Sequence, residues 1–292
     1  MKKEIFTIVD GYCFFFRAYY VLHHLTTTTG IPTGAVYGFL NMILKYITHS
    51  DYLTIALDSG KKSFRHNLYS KYKANRITPP KNLIAQFAIL KKALKAFNLS
   101  YEEIKNYEAD DIIATLVTKY TTNYYNFKII VVSSDKDLLQ LLNQNISILD
   151  PIKNMYINEK QIIEKFGVSS DKLLDLFSLI GDTSDNIPGA LGIGKKTAIK
   201  LLNEFGSLNK ILENITNIKQ TKIRDILIKE KEKILISQKL LLLCKKVNLQ
   251  HNISKYRIHP PNMGRLFSFL EKYEFISLIA KLKNFQKQQY KT

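Results

Sequence analysis

Three short apolar segments of this chain each end at an aspartate. They are Ile5 to Val9 before Asp10, Leu53 to Leu57 before Asp58, and Lys128 to Val132 before Ser133-Ser134-Asp135. Short runs rich in β-branched residues predict buried strands, and in an open α/β sheet ligands bind just beyond the carboxyl ends of the strands. We therefore expect three acidic side chains to converge on one crevice.

Helical patterns alternate with these predicted strands up to about residue 160, over 36–47, 83–97 and 112–120. Such alternation predicts a Rossmann-like α/β fold, in which a mainly parallel sheet is flanked by helices. Beyond Gly167 the strand signals fade, and apolar spacing predicts helices over 173–180, 197–205, 223–236 and 266–282. We predict an α/β domain over residues 1–165 followed by a helical domain over 166–292.

The composition favours a polyanionic partner. The chain has 292 residues and carries 43 Lys and Arg against 25 Asp and Glu, a formal charge of +18. Because no isolated basic amphipathic helix carries this charge, nucleic acid is favoured over an anionic membrane surface. Cys13 and Cys244 are widely separated, which argues against a disulfide framework or a zinc site and for a cytoplasmic setting. No signal peptide or transmembrane-length run is expected.

Further acidic residues cluster near predicted helix starts and in one loop. These clusters are Glu108-Ala-Asp110-Asp111, Asp135-Lys-Asp137 and Asp182-Thr-Ser-Asp185. Helix capping is the simple alternative, but capping needs only one acid per helix. Carboxylates about 5 Å apart repel by roughly 3 kcal/mol per pair at an effective dielectric of 20. The expected counter-ions are two or more hard divalent cations, Mg²⁺ or Mn²⁺, because these prefer oxygen ligands.

A glycine-rich loop precedes the helix predicted near Lys195. Gly189, Gly192 and Gly194 would let the backbone approach a phosphate, which the N–H groups of the helix start could then bind. A nucleotide-binding P-loop is a poor alternative, because Lys196 stands where Ser or Thr should hold Mg²⁺ and a helix precedes the loop. A plain turn between two helices remains a third interpretation.

Cations and aromatic rings interleave between Asp58 and Pro79. They are Lys61, Lys62, Phe64, Arg65, Tyr69, Lys71, Tyr72, Lys73 and Arg76. This mixture suits a nucleic acid single strand, whose phosphates meet the charges while its bases stack on the rings. A solvated helix face is the alternative, above all for Lys61, Lys62 and Lys71.

Five motifs, in order, resemble the 5′-nuclease domain of bacterial DNA polymerase I within the flap endonuclease superfamily. The motifs are Ile8-Val-Asp-Gly, Asp58 with Ser63-Phe-Arg-His, Tyr107-Glu-Ala-Asp-Asp, Ser134-Asp-Lys-Asp-Leu and Gly181-Asp-Thr-Ser-Asp-Asn-Ile-Pro-Gly. The resemblance implies a PIN-like α/β domain with a helical arch near 61–105 and a helix-three-turn-helix motif near 173–206. It also implies a metal site. Asp10, Asp58, Glu108 and Asp110 would hold the first ion, and Asp111, Asp135, Asp137, Asp182 and Asp185 would surround the second.

The same resemblance implies roles in DNA binding and catalysis. Arg65, Tyr72, Lys73 and Arg76 match the base of the arch, and Arg17 matches a phosphate-steering position. Of these, Arg17, Lys73 and Arg76 would act in catalysis. Gly189, Gly192, Gly194, Lys195 and Lys196 match a loop that grips the duplex backbone, with a K⁺ ion as a further expected cofactor.

The expected function is that of a monomeric, structure-specific 5′ nuclease acting on DNA by a two-metal-ion mechanism. It would combine 5′→3′ exonuclease and 5′-flap endonuclease activity in primer removal and repair, with a DNA polymerase in cis or in trans. A DNA-binding module with a dead nuclease centre is a rival, although such relatives lose acids that this chain keeps. A nuclease that cuts single-stranded RNA is another. Whether the chain is free-standing or part of a longer polymerase stays open.

Overall fold

The computed structural model describes residues 3–122 and 127–289, which form one six-stranded sheet and twelve α-helices in those ranges. The strands are β1 Glu4–Asp10, β2 Tyr52–Leu57, β3 Ser100–Glu103, β4 Phe127–Val132, β5 Ile146–Asp150 and β6 Met155–Ile157. Their order in the sheet is β3-β2-β1-β4-β5-β6, and every neighbouring pair is parallel except β5 with β6. The predicted α/β fold with a mainly parallel sheet is confirmed.

Helices cover both faces of this sheet. They are α1 Gly11–Leu22, α2 Gly34–Ile47, α3 Phe64–Leu68, α4 Lys81–Ala96, α5 Ala109–Thr122 and α6 Glu159–Phe166. Val9 of β1 packs into the core formed with α1, α2 and α4, whereas Ile8 packs into the core on the α5 side. A strand that is covered on both faces buries consecutive residues, which explains why β1 and β2 read as continuous apolar runs.

The chain reverses its direction across the sheet at β1. After β1 it adds β2 and β3 on one side, and it then returns to place β4 on the other side, so that Val9 is flanked by Ile55 and Val132. The crevice at such a switch point, beyond the carboxyl ends of the strands, is the usual ligand site of an open α/β sheet. Asp10 is the last residue of β1, and Ser133 directly follows β4, the two strands that form this crevice.

The second half of the chain is helical. It contains α7 Leu173–Ile180, α8 Lys195–Phe205, α9 Leu208–Glu213, α10 Thr221–Leu241, α11 Met263–Lys272 and α12 Ile276–Gln289. The helix predicted over 266–282 is wrong as a single element, because the chain turns between α11 and α12. Glu274 adopts a φ of 57°, and the N–H of Phe275 donates to the carbonyl of Leu270 over 2.8 Å.

The helical half and the sheet share their apolar cores. Residues of α7 and α10 lie in the same buried cluster as α5, and residues of α11 and α12 lie in the cluster of α2 and α4. Within the described ranges, no helix is both long and apolar enough to span a membrane.

Candidate active site

A cleft of about 1030 Å³ opens at the switch point of the sheet. Eight of the predicted site residues line it: Asp10, Arg17, Asp58, Lys73, Arg76, Glu108, Asp110 and Asp135. Asp10 and Asp58 come from the ends of β1 and β2, Asp135 follows β4, and Glu108 and Asp110 lie at the start of α5. The parallel strands therefore bring together acids that are up to 125 positions apart in the sequence.

Asp10 is fixed by two hydrogen bonds at the centre of the cleft. Its Oδ1 accepts from the backbone N–H of Cys13 over 3.2 Å, and its Oδ2 accepts from the Ser133 hydroxyl over 2.6 Å. Burial, with smaller contributions from the charges of Asp58 and Asp135, raises the pKa of Asp10 from its ordinary 3.8 to about 6. The carboxyl is therefore held firmly in a place where its negative charge is unfavourable.

The pKa values of two neighbouring acids are raised in the same way. Burial, followed by repulsion from Asp135 and Asp10, raises the pKa of Asp110 well above its ordinary value. Burial likewise raises the pKa of Asp58, whose Oδ1 accepts the N–H of Ala109 over 2.8 Å. That hydrogen bond ties the end of β2 to the start of α5.

A second acidic group adjoins the cleft. Asp137 begins a short 3₁₀ turn after β4, and its Oδ1 is buried with no hydrogen-bond partner among the described residues. Burial and the nearby Asp135 raise the pKa of Asp137 to about 7. Although burial acts to raise it, the pKa of Asp182 is lowered, because Lys136 pairs with its Oδ2 at 2.8 Å and Ser184 donates to its Oδ1.

This set of oxygen ligands fits hard divalent cations. The Asp137 oxygen has no partner, and the pKa values of Asp10 and Asp110 are raised. Both observations indicate that these carboxylates lack a neighbouring cation to neutralise them. Hard cations with oxygen ligands supply what is lacking. In the described part of the chain, however, no three acidic, His or Cys side chains already stand at the spacing of a closed metal cage.

Two cations from the segment before α4 reach the acids. Lys73 Nζ lies 2.9 Å from Glu108 Oε2 and 3.7 Å from Asp185 Oδ2, and Arg76 Nη2 lies 2.5 Å from Asp185 Oδ1. Although burial acts to raise it, the pKa of Glu108 lies below its ordinary value, because Lys73 and then Arg65 are close. The exposed Arg17 of α1 lines the same cleft.

The backbone of this segment is also bonded to the loop that carries Asp182 and Asp185. The N–H of Lys73 donates to the carbonyl of Asp185 over 2.9 Å, and the Asn75 side chain donates to the carbonyl of Thr183 over 2.7 Å. In return, the Asn186 side chain donates to the carbonyl of Lys71 over 2.7 Å. The two parts of the chain thus meet directly beside the cleft.

Two family models together match the chain from residue 5 to residue 264. Residues 5–167 match the model for the 5′-3′ exonuclease N-terminal resolvase-like domain, and residues 168–264 match that for the 5′-3′ exonuclease C-terminal SAM fold. The chain belongs to the 5′-3′ exonuclease family.

Curated relatives agree with this assignment. This chain is 34% identical to a 5′-3′ exonuclease of Aquifex aeolicus, and the match covers 94% of each. It is 39% identical to the DNA polymerase I of Rhizobium leguminosarum over 97% of its own length, but it spans only 29% of that polymerase.

Solved structures share the fold of this chain. A T5 5′-exonuclease with bound zinc ions matches with a TM-score of 0.67 at 24% identity, covering 82% of this chain and 90% of that one. The catalytic core of Rad2 in complex with DNA substrate matches with a TM-score of 0.62 at 15% identity, covering 93% and 87%.

Two predicted site residues of the chain bind each other instead. Arg65, predicted to contact DNA, is only 2% exposed, and its Nη1 and Nη2 donate to the two carboxylate oxygens of Asp111 over 2.6 and 2.7 Å. Asp111, predicted as a metal ligand, is fully buried and also accepts the N–H of Cys244 over 2.8 Å. Because both carboxylate oxygens are occupied, the structure corrects both predictions to a buried structural ion pair.

Tyr72 is also placed differently from its prediction. It is 4% exposed, and its hydroxyl donates to Glu108 Oε2 over 3.0 Å, so its ring cannot stack on a DNA base. The predicted DNA contact is corrected to a contact that holds a cleft carboxylate.

The glycines of the glycine-rich loop do not line the cleft, and they differ in role. Gly189 is buried, adopts a φ of 59° and donates its N–H to the Ser237 hydroxyl over 3.0 Å, which corrects its predicted phosphate contact. Gly192 and Gly194 are exposed just before α8, and Lys195 and Lys196 are exposed in its first turn, where Lys195 Nζ donates to the carbonyl of Lys165 over 2.5 Å.

Three residues of the site were missed in the sequence. Ser133 donates to Asp10, the Ser63 hydroxyl donates to Glu108 Oε1 over 2.9 Å, and Lys136 pairs with Asp182. Lys136 stands between the predicted acids Asp135 and Asp137, and Ser133 directly follows the predicted strand that ends at Val132. These positions were the available signals. Ser63 carried no such signal apart from its place in the Ser63-Phe-Arg-His motif.

Proposed function

We propose that this exonuclease is a divalent-metal-dependent 5′ nuclease that hydrolyses DNA phosphodiesters as both a 5′→3′ exonuclease and a 5′-flap endonuclease. The observation that carries the proposal is the convergence of Asp10, Asp58, Glu108, Asp110 and Asp135 on one cleft, with a raised pKa at Asp10 and Asp110. Such charge is unfavourable unless the cleft receives cations.

Mg²⁺ or Mn²⁺ would be held by two groups of carboxylates. Asp10, Asp58, Glu108 and Asp110 form the first group, and Asp135, Asp137, Asp182 and Asp185 form the second. When bound, a pair of divalent ions stabilises the negative charge that develops during phosphodiester hydrolysis. Lys73, Arg76 and Arg17 line the same cleft and would orient the phosphate by charge.

The start of α8 would hold the duplex. Helix N-termini offer free backbone N–H groups to phosphates, and Lys195 and Lys196 add exposed positive charge there. Gly192 and Gly194 leave the backbone open to close approach, and a K⁺ ion bridging loop carbonyls to a phosphate belongs to this proposal. Such contacts position DNA without reading its sequence.

The biological role we propose is primer removal in replication and excision repair, alongside a DNA polymerase in cis or in trans. The 39% identity to a DNA polymerase I supports this role. A monomeric state and a cytoplasmic location complete the proposal, and the two unpaired cysteines fit a reducing compartment.

A fluorescent 5′-flap DNA tests the proposal. We expect Mg²⁺-dependent cleavage near the junction, lost by about a hundredfold or more in Asp135→Asn. Asp225→Asn is the matched control, because Asp225 is an exposed acid on α10, outside the cleft.

Three results would contradict the proposal. The first is the absence of cleavage with either Mg²⁺ or Mn²⁺, as expected of a DNA-binding module with a dead centre. The second is undiminished cleavage by the Asp135 variant. The third is a preference for single-stranded RNA over flap DNA in direct competition.

A further inference from the structure

A second pocket, which shares no lining residue with the acidic cleft, lies on the α2 face of the sheet. It has a volume of about 350 Å³ and lies between the end of α2, strands β1, β4 and β5, and the β5–β6 hairpin. Three basic side chains, Lys45, His49 and Lys128, line it together with Tyr46 and Tyr156. None of the described residues that line the pocket is acidic.

The two lysines of this pocket have no ion-pair partner among the described residues. In the part of the chain that the structure describes, neither Lys45 nor Lys128 forms an ion pair with a carboxylate. Lys45 donates instead to the side-chain oxygen of Asn154 over 2.9 Å. Clustered cations without acidic partners favour an anionic ligand.

Polar groups at the pocket add to this preference. Tyr46 is only 6% exposed, and its hydroxyl is buried without a hydrogen-bond partner in the described ranges. The hydroxyls of Thr7 and Ser50, which also line the pocket, already form a hydrogen bond with each other over 2.6 Å. A buried hydroxyl that lacks a partner is costly, so an acceptor that reaches it is favoured.

Tyr156 supplies an aromatic face at the rim. It lies on the edge strand β6, its side chain is 49% exposed, and Lys128 Nζ stands 5.6 Å from its ring centroid. A half-exposed ring beside a cation is the arrangement on which single-stranded DNA stacks a base while its phosphate meets the charge.

The pocket adjoins the acidic cleft. Ile152 of the β5–β6 hairpin lines the cleft, and Asn154, two residues later, lines the pocket. Arg17 of the cleft is close enough to Lys45 for its charge to lower the pKa of that lysine, after the larger effect of burial. In the sheet order the pocket lies on the β4–β6 side, whereas the segment that carries Lys73 follows β2 on the other side.

We infer that this pocket binds one nucleotide of the DNA substrate, its phosphate against Lys45, His49 and Lys128 and its base against the ring of Tyr156. The strand would continue from the acidic cleft along Arg17 on the side away from Lys73. This inference rests on the proposed function, because it takes DNA as the ligand.

The absence of tryptophan from the chain makes the pocket directly observable. In a Tyr156→Trp variant the single tryptophan reports on the pocket, and Ca²⁺ in place of Mg²⁺ neutralises the carboxylates as another oxygen-ligand cation. Adding a flap DNA should quench the emission, while the anisotropy of a label on the same DNA measures overall binding. An Ile276→Trp variant is the control, because Ile276 is exposed at the start of α12.

Charge removal provides the second arm. Lys45→Met with Lys128→Met in the Tyr156→Trp background should abolish the quenching and weaken DNA binding. The logarithm of the DNA-binding constant falls linearly with the logarithm of the salt concentration, and each lost phosphate contact reduces the steepness of this line by about 1. The steepness should therefore fall by about 1 to 2 in the double variant. Lys272→Met with Lys283→Met removes the same charge from α11 and α12 and should leave both readouts unchanged.

The outcomes separate the two proposals. If anisotropy shows DNA bound while the tryptophan signal stays constant, the inferred subsite is wrong and the proposed function stands. Equal quenching in the Ile276→Trp control, or equal effects of the two lysine pairs, also overturns the subsite. If the anisotropy shows no DNA binding, the proposed function fails and the subsite fails with it.

Discussion

Breaking the buried Arg65–Asp111 pair should destabilise the fold more than any exposed ion pair in the described chain. In Arg65→Met, the fully buried Asp111 loses both guanidinium hydrogen bonds, and the carbonyl of Leu240 loses the bond from Arg65 Nε at 2.7 Å. Removing one partner of a buried pair costs about 3 to 5 kcal/mol, because the remaining charge is left uncompensated. Chemical denaturation at neutral pH measures the change in free energy of unfolding.

The matched control is Lys160→Met. Lys160 and Glu164 form an ion pair on α6, but their side chains are 85% and 63% exposed. An exposed pair of this kind contributes about 0.3 to 0.5 kcal/mol. If Arg65→Met destabilises the protein no more than Lys160→Met does, the reasoning from burial is refuted.

A second substitution, Asp111→Asn, distinguishes a structural role of Asp111 from a role in binding a metal ion. If Asp111 only holds Arg65, then Asp111→Asn should lower stability equally with and without Mg²⁺. At a temperature where the Asp111→Asn variant stays folded, its cleavage of flap DNA should far exceed that of the Asp135→Asn variant. A stability loss seen only with Mg²⁺ would restore the role that the sequence alone suggested.

Three further predictions concern the loop and the cleft. Gly189→Ala should destabilise the fold by about 2 kcal/mol or more in denaturant titrations, because Gly189 has a positive φ and a Cβ there would lie 2.3 Å from the backbone nitrogen of Gly181. Gly194→Ala is the control and should change stability little, because the space around Gly194 is open. The raised pKa values of Asp10 and Asp137 mean that the folded state keeps protons that the unfolded state releases above pH 3.8. Metal-free protein should therefore lose stability in thermal melts between about pH 4 and 7, and Mg²⁺ should restore it; a flat pH profile would contradict this. Lys73→Met should lower kcat for flap DNA by about a hundredfold with little change in KM, and an unchanged kcat would exclude Lys73 from catalysis.

Much of the sheet could be predicted because its central strands are buried on both faces. β1, β2 and β4 are continuous apolar runs for that reason, and their parallel direction alone predicted that Asp10 and Asp58 would share a crevice. β3 and β6 lie at the sheet edges and carry polar or exposed residues, so their sequences give no strand signal. The turn at Glu274 was hidden because apolar spacing continues through it.

The errors at the site have a different cause. Arg65 and Asp111 look like a DNA contact and a metal ligand by local sequence, but each finds its partner 46 residues away. Gly189 looks like a phosphate-binding glycine, but α10, which packs beside α7, takes its N–H. Local sequence predicts which residues are charged or flexible, whereas long-range packing decides which of them remain free.

The hydrogen bonds between the segment at Lys73 and the loop at Asp185 have a consequence for biosynthesis. A ribosome makes the first half of the cleft long before the residues that complete it. Until Asp182 to Asn186 have been synthesised, the Lys73 and Asn75 groups lack their partners. Arg65 must wait longer still, for the carbonyl of Leu240. The acidic cleft therefore cannot take its final form until most of the chain has been translated.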